Sequence, residues 1–119
     1  MLNQKALDAK LLTAETITLT TSSLSHLASA SAWLSHVGKI GVLSISAKNT
    51  SSALAVGSDA TFKITDLPTL KGASRGCGYS GSTCLVADVQ ASGNVTIRVT
   101  GAQWAATYDG AIMIPVVLA

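Results

Sequence analysis

The sequence predicts an all-β domain, a β-sandwich or jelly roll behind a short N-terminal helix, and three observations carry that expectation. Short segments of alternating apolar and polar residues recur along most of the chain. Turn residues separate them about every ten positions, the spacing of small sandwiches. No segment after the first dozen residues has the length and periodicity of a helix that would cover a parallel sheet.

The first residues stand apart. Leu2, Ala6, Leu7, Leu11 and Leu12, interleaved with Lys5 and Lys10, read as one amphipathic helix over residues 1–14. Leu7, Leu11 and Ala14 fit successive core positions of a heptad, yet two heptads are too few for an independent coiled coil. The reading is therefore a short helix or the end of a stalk, followed by a β-domain over residues 15–119.

Within that domain the first strand is Thr16-Ile17-Thr18-Leu19-Thr20, whose β-branched residues suit a pleated surface. A Ser-rich link, residues 21–25, leads to a second strand over Leu27 to Leu34. Val37 to Ser46 reads as a strong strand, with Gly38 and Gly41 marking a bend or bulge. After a polar loop at Asn49 to Ser52, Ala60 to Thr65 alternates with Phe62 and Ile64 on one face. Leu67-Pro68 ends it, because proline cannot continue a central ladder.

Two further strands, Gly76 to Tyr79 and Thr83 to Val89, flank the turn Ser80-Gly81-Ser82. Ser92-Gly93-Asn94 is a second hairpin turn, feeding Val95 to Thr100. There Val95, Ile97 and Val99 face one way and Thr96, Arg98 and Thr100 the other. Gly101 to Gly110 reads as loop or short strand, and Ala111 to Leu118 closes the chain as a buried strand.

Composition narrows the function classes. Of the 119 residues, 48% are hydrophobic and only 12% charged, about half the usual charged fraction. A surface so poor in charge fits an obligate oligomer, whose interfaces resemble a core cut in two. A membrane span is not the explanation, since no apolar run approaches the about 20 residues a helix needs. Net charge is +2 with no Lys/Arg run, so the footprint of a nucleic-acid binder is missing. Met1 leads into a polar stretch rather than an apolar signal segment, so synthesis in a cytoplasm is expected.

Catalytic and metal motifs do not assemble. Gly78-Tyr79-Ser80-Gly81-Ser82 comes near a nucleophile elbow, but no helix follows Ser80 and both histidines precede it. Six residues separate Cys77 from Cys84 and nine separate His26 from His36, spacings unlike those of zinc modules. No cofactor or metal is expected. The two cysteines flank a tight turn; they either bridge the hairpin or remain thiols.

Aromatic residues are scarce. Phe62 belongs to the core by its alternation, and Trp33 to the core or a contact between chains. Tyr79, Trp104 and Tyr108 fall at turns or in loop, where aromatics suit sugar stacking and protein contacts. They are the candidate receptor contacts, with Arg75, Arg98 and Asp109 as polar partners.

The order of four segments resembles the tip domain of bacteriophage tail fibres, the receptor-binding head of those proteins. Val37-Gly38-Lys39-Ile40-Gly41-Val42-Leu43 resembles an early strand of that family, and Ala60 to Pro68 the strand running into Leu-Pro. Gly93-Asn94-Val95-Thr96-Ile97 resembles its next hairpin, and Gly110 to Ile114 its terminal strand. Where relatives carry a second proline after Leu-Pro, this chain has Gly72-Ala73-Ser74. The resemblance, covering Trp33 to Ala119, implies a homotrimer in the virion that attaches to a host-surface glycan or protein. The N-terminal segment would then join it to other fibre or baseplate proteins. The rival readings are a purely structural virion component and a trimeric bacterial binding module unrelated to phage.

Overall fold

A computed structural model describes residues 14–119. The helix expected over residues 1–14 falls, but for Ala14, outside the described residues. Nine antiparallel strands make up the domain: β1 (Glu15–Leu19), β2 (Thr21–Ser25), β3 (Leu27–Val37), β4 (Ile40–Asn49), β5 (Asp59–Ile64), β6 (Ser74–Ser80), β7 (Thr83–Val89), β8 (Asn94–Thr100) and β9 (Asp109–Val117). They form one sheet in the order β1-β3-β4-β9-β6-β7-β8-β5-β2. The all-β expectation therefore holds.

The two ends of that order are consecutive in the chain, so the sheet curls into a nearly closed, flattened barrel. β1 pairs with β3, and after one residue β2 pairs with β5 on the other side. Thr20 is the crossover point. Its N–H donates to Asp66 Oδ1 at 2.7 Å, and its carbonyl accepts from Thr65 N–H at 3.0 Å. The Thr21 hydroxyl then donates to the Ala30 carbonyl at 2.7 Å, tying β2 to β3. The Ser-rich segment expected as a link is thus a strand, bulged between Ser22 and Ser25.

Gly38 corrects a second boundary. The turn Gly38-Lys39 separates β3 from β4, with Val37 opposite Ile40, so the strand expected from Val37 to Ser46 starts three residues later, at Ile40, and Val37 ends β3. On the other side of the barrel β6 meets β9 through only three pairs, Cys77 to Tyr79 against Met113 to Ala111. A Cβ at Gly78 would collide with the Ala111 carbonyl oxygen, so only glycine lets the sheet fold this sharply.

Alternation decides the core. On β8, Val95, Ile97 and Val99 are buried, as are Leu85, Ala87 and Val89 on β7 and Phe62 and Ile64 on β5. They face Leu34, Leu43, Ile45, Ile112 and Ile114 from β3, β4 and β9. The closing strand β9 is buried on one face only, since Met113 is 63% exposed.

An internal two-fold relates the halves. The hairpin β3-β4, its following loop and β5 correspond to β7-β8, the next loop and β9. The correspondence is legible in hydrogen bonds. Leu54 N–H donates to Trp104 O at 2.9 Å, and Trp104 N–H to Leu54 O at 2.8 Å. Asn49 N–H donates to Tyr108 O and Val99 N–H to Ser58 O, both at 3.1 Å.

Where the two loops meet, Asn49 is buried and fully used. Its Nδ2 donates to the carbonyls of Trp104 (3.0 Å) and Ala105 (3.2 Å), and its Oδ1 accepts from Thr50 N–H at 2.8 Å. Asn49→Ala would leave Thr50 N–H without its acceptor and remove one of the two donors from each of the Trp104 and Ala105 carbonyls, which keep Leu54 N–H and Tyr108 N–H. We expect it to lower unfolding free energy by about 2 kcal/mol, since one unsatisfied backbone group costs about 1–3 kcal/mol. Urea denaturation checks this, and a change below about 1 kcal/mol would contradict the clamp.

Candidate functional site

The ladder registers give the domain two ends. Glu15 sits opposite His36 beside the β3–β4 turn, and β9 finishes there with Val117 opposite Ile40. This is the base. At the opposite end Lys48 faces Asp109, and the loops of residues 50–58 and 101–108 meet near the turn Gly81-Ser82. This is the tip.

The six expected receptor contacts divide among different places. Tyr108 is 55% exposed at the tip, with its ring beside Gly81, and Asp109 follows it at the surface. Tyr79 is exposed on β6 just below them, opposite Ala111. Arg98 lies on the outer face of β8, and Arg75 lies toward the base on β6.

Trp104 is a correction. It is fully buried, its Nε1–H donating to the Tyr108 carbonyl at 3.1 Å, so it offers nothing to a ligand. The Gly101–Gly110 stretch appears loop-like in sequence because Trp104 pairs by a single bridge with Leu54 rather than within a strand. The indole instead fills the space where the two loops close the barrel.

Thr107 is a residue that sequence reasoning missed. Its φ is +64°, in the left-handed region, where a β-branched side chain is strained. The internal two-fold supplies the comparison: the matching position in the first loop is Gly57, at φ +85°. One loop meets this bend with glycine and the other with a threonine that is exposed beside Tyr108. Strain of this kind collects at functional positions.

The outer surfaces carry opposite chemistry. Across β6, β7, β8 and β5 runs an ion-pair ladder. Arg75 Nε donates to Asp88 Oδ1 at 2.6 Å, and Arg98 Nε to Asp59 Oδ1 at 3.0 Å. The hydrogen bond from Arg75 holds the Asp88 carboxyl below the usual carboxylate range, and the same bond raises Arg75. The bond to Asp59 raises Arg98. All four groups are substantially exposed, so solvent and salt screen these pairs.

Across β3, β4 and β9, and onto β6 as far as Tyr79 and Cys77, the outer face is uncharged, and Arg75 borders it at the base end of β6. Its registered rows read Ser31, Ser46, Ala111, Tyr79; then Trp33, Ser44, Met113, Cys77; then Ser35, Val42, Pro115; then Val37, Ile40, Val117. Trp33, expected in the core or between chains, stands on this face at 37% exposure. The first two rows, Ser31 apart, line a shallow groove of about 590 Å³.

Chemical groups elsewhere are occupied by the fold. Ser80 is buried, and its hydroxyl donates to the Asp109 carbonyl at 2.7 Å. His36 Nδ1–H donates to the Gly38 carbonyl at 2.9 Å. Cys77 pairs with Val86 and Cys84 with Tyr79, so the two thiols lie on a diagonal rather than opposite each other, and both are free. Among the described residues, no group of three or more His, Cys, Asp and Glu side chains is placed to hold a metal ion. Nor is any helix among them long and apolar enough to cross a membrane. Comparison with protein-family models, with curated proteins and with solved structures found no match to this chain.

Thr107→Gly relieves the left-handed strain at the tip and should raise unfolding free energy by up to about 1 kcal/mol. A lower melting temperature in calorimetry would contradict the strain. Asp88 has a folded pKa below its unfolded value, so its contribution is present above the ordinary carboxylate range. It is lost as pH falls through the lowered value. The melting temperature should therefore fall less steeply between about pH 5 and pH 3 in Asp88→Asn than in the parent. Equal slopes would contradict the pairing.

Proposed function

We propose that the chain is a non-enzymatic adhesion module of the tail-fibre-tip kind, working as a homotrimer that contacts a host-surface receptor with its tip. The observation that carries this reading is the polarity of the domain. The described chain enters at Glu15, at the base, while Tyr108, Asp109 and strained Thr107 lie at the opposite end. A module built this way presents its tip away from whatever precedes it.

A glycan is the favoured receptor class. An exposed tyrosine ring offers a sugar an apolar face and a polar edge, and the Asp109 carboxylate beside it accepts hydrogen bonds from hydroxyls. Tyr79 extends the same surface down β6. Arg75, at the base side of the ladder and bound to Asp88, plays no part in a tip contact in this reading, and Trp104 supports the tip only from within.

The residues near the elbow-like motif favour binding over hydrolysis, because the Ser80 hydroxyl is buried and committed to the Asp109 carbonyl. In a virion, this domain would attach through the segment before Glu15.

Light scattering on the purified chain should give a mass near three times 12.1 kDa. An array of bacterial surface glycans should then show binding that Tyr108→Ala reduces at least about tenfold, the loss of about 1.4 kcal/mol expected for one stacking contact. A trimer that binds no glycan would favour the purely structural role, and binding that Tyr108→Ala leaves unchanged would overturn the tip contact.

A further inference from the structure

We infer that the uncharged outer face of β3, β4 and β9, with Cys77 and Tyr79 of β6 at its margin, is the surface on which a second copy of this chain sits. The inference rests on the proposed self-association and adds where it happens. Between Lys48 and Asp109 at the tip and the β3–β4 turn at the base, the registered rows of this face contain no charged side chain. Ile40 is 72%, Met113 63% and Val117 46% exposed there.

Size supports this use. With β1, whose Thr16 and Thr18 continue the rows, five strands at about 4.8 Å spacing and rows about 20 Å deep give a flat footprint of about 500 Å². Trp33, Ile40, Tyr79 and Met113 stand out from it, so the area open to water approaches the about 800 Å² that each partner gives a standard interface. Six of its positions are Ser or Thr, and the apolar remainder around Ile40, Val42, Met113 and Val117 spans a few hundred Å², about the size of patch that marks a contact site.

Charge identifies the occupant. A neutral face has nothing to steer an acidic or basic partner, whereas its own copies meet it without like-charge repulsion. The low charge content of the chain is also unevenly placed: Arg98–Asp59 and Asp88 lie on the other outer face, and Arg75, held by Asp88, stands at the border on β6. One face is made for water and the other for contact.

Cys77 is the reporter, since it lies on this face beside Met113, and its thiol is exposed in the single chain. In a Cys84→Ser background, Cys77 should react with a thiol reagent at least about tenfold more slowly than in the unfolded chain. Met113→Lys and Ile40→Lys should each reduce the mass to that of one chain and restore fast reaction, with the β-type circular dichroism unchanged. Thr96→Lys, on the ion-paired face, should change neither. A parent that is monomeric, or an oligomer that survives both lysine variants with Cys77 freely reactive, would overturn the inference. In the second case the adhesion reading stands with another interface, and glycan binding by the parent tests it separately.

Discussion

Closure of the sheet depends on a single residue's backbone at Thr20. A sheet of nine strands has two edges, and edges left open invite pairing with other chains. Here both edges belong to one stretch of chain, and Thr20 is where it leaves β3 for β5. Asp66 accepts its N–H and Thr65 donates to its carbonyl, so the crossover costs no unpaired backbone group. With the edges joined, every inward row meets another row across the barrel. The core of Leu34, Leu43, Ile97, Val99 and Ile114 follows from that enclosure.

Trp104 and Asn49 close the tip in a related way. The two loops at that end are related by the internal two-fold, and their antiparallel bridge at Leu54 and Trp104 seals the barrel mouth. An indole occupies the space on one side and a leucine on the other. The asymmetry extends to the next turn, where Gly57 is replaced by strained Thr107. Two loops of like shape thus differ in surface, and the second carries the exposed tyrosine.

Much of the fold was legible in the residues, because alternation is a direct imprint of a half-buried strand. Val95, Ile97 and Val99 on one face, and Phe62 with Ile64 on another, are placed as period two requires. The strand β2 was not legible, since Thr21-Ser22-Ser23-Leu24-Ser25 carries no apolar alternation and its partner β5 is remote in sequence. Trp104 was misread for a similar reason: its burial comes from a loop-to-loop contact, which no local pattern encodes. The internal repeat did leave a signal. Ala55 and Asp59 after Leu54 are echoed fifty residues on by Ala105 and Asp109 after Trp104. Of the candidate site, Tyr79, Tyr108 and Asp109 were found from residue type and turn position. Thr107 was not, because strain is a property of φ and not of composition.

The contrast between the outer faces gives the low charge content its physical meaning. Charge is kept where the surface must remain solvated and removed from the rows around Met113. If that face is covered by copies of the chain, the exposure of Met113 must depend on protein concentration. The direct measurement is the rate of Met113 oxidation by dilute peroxide, followed by mass spectrometry across a wide concentration range. The account predicts slow oxidation of the assembled protein and a rise toward the rate of an exposed methionine on dilution below dissociation. Fast oxidation at every concentration would show a face open to water and would contradict it.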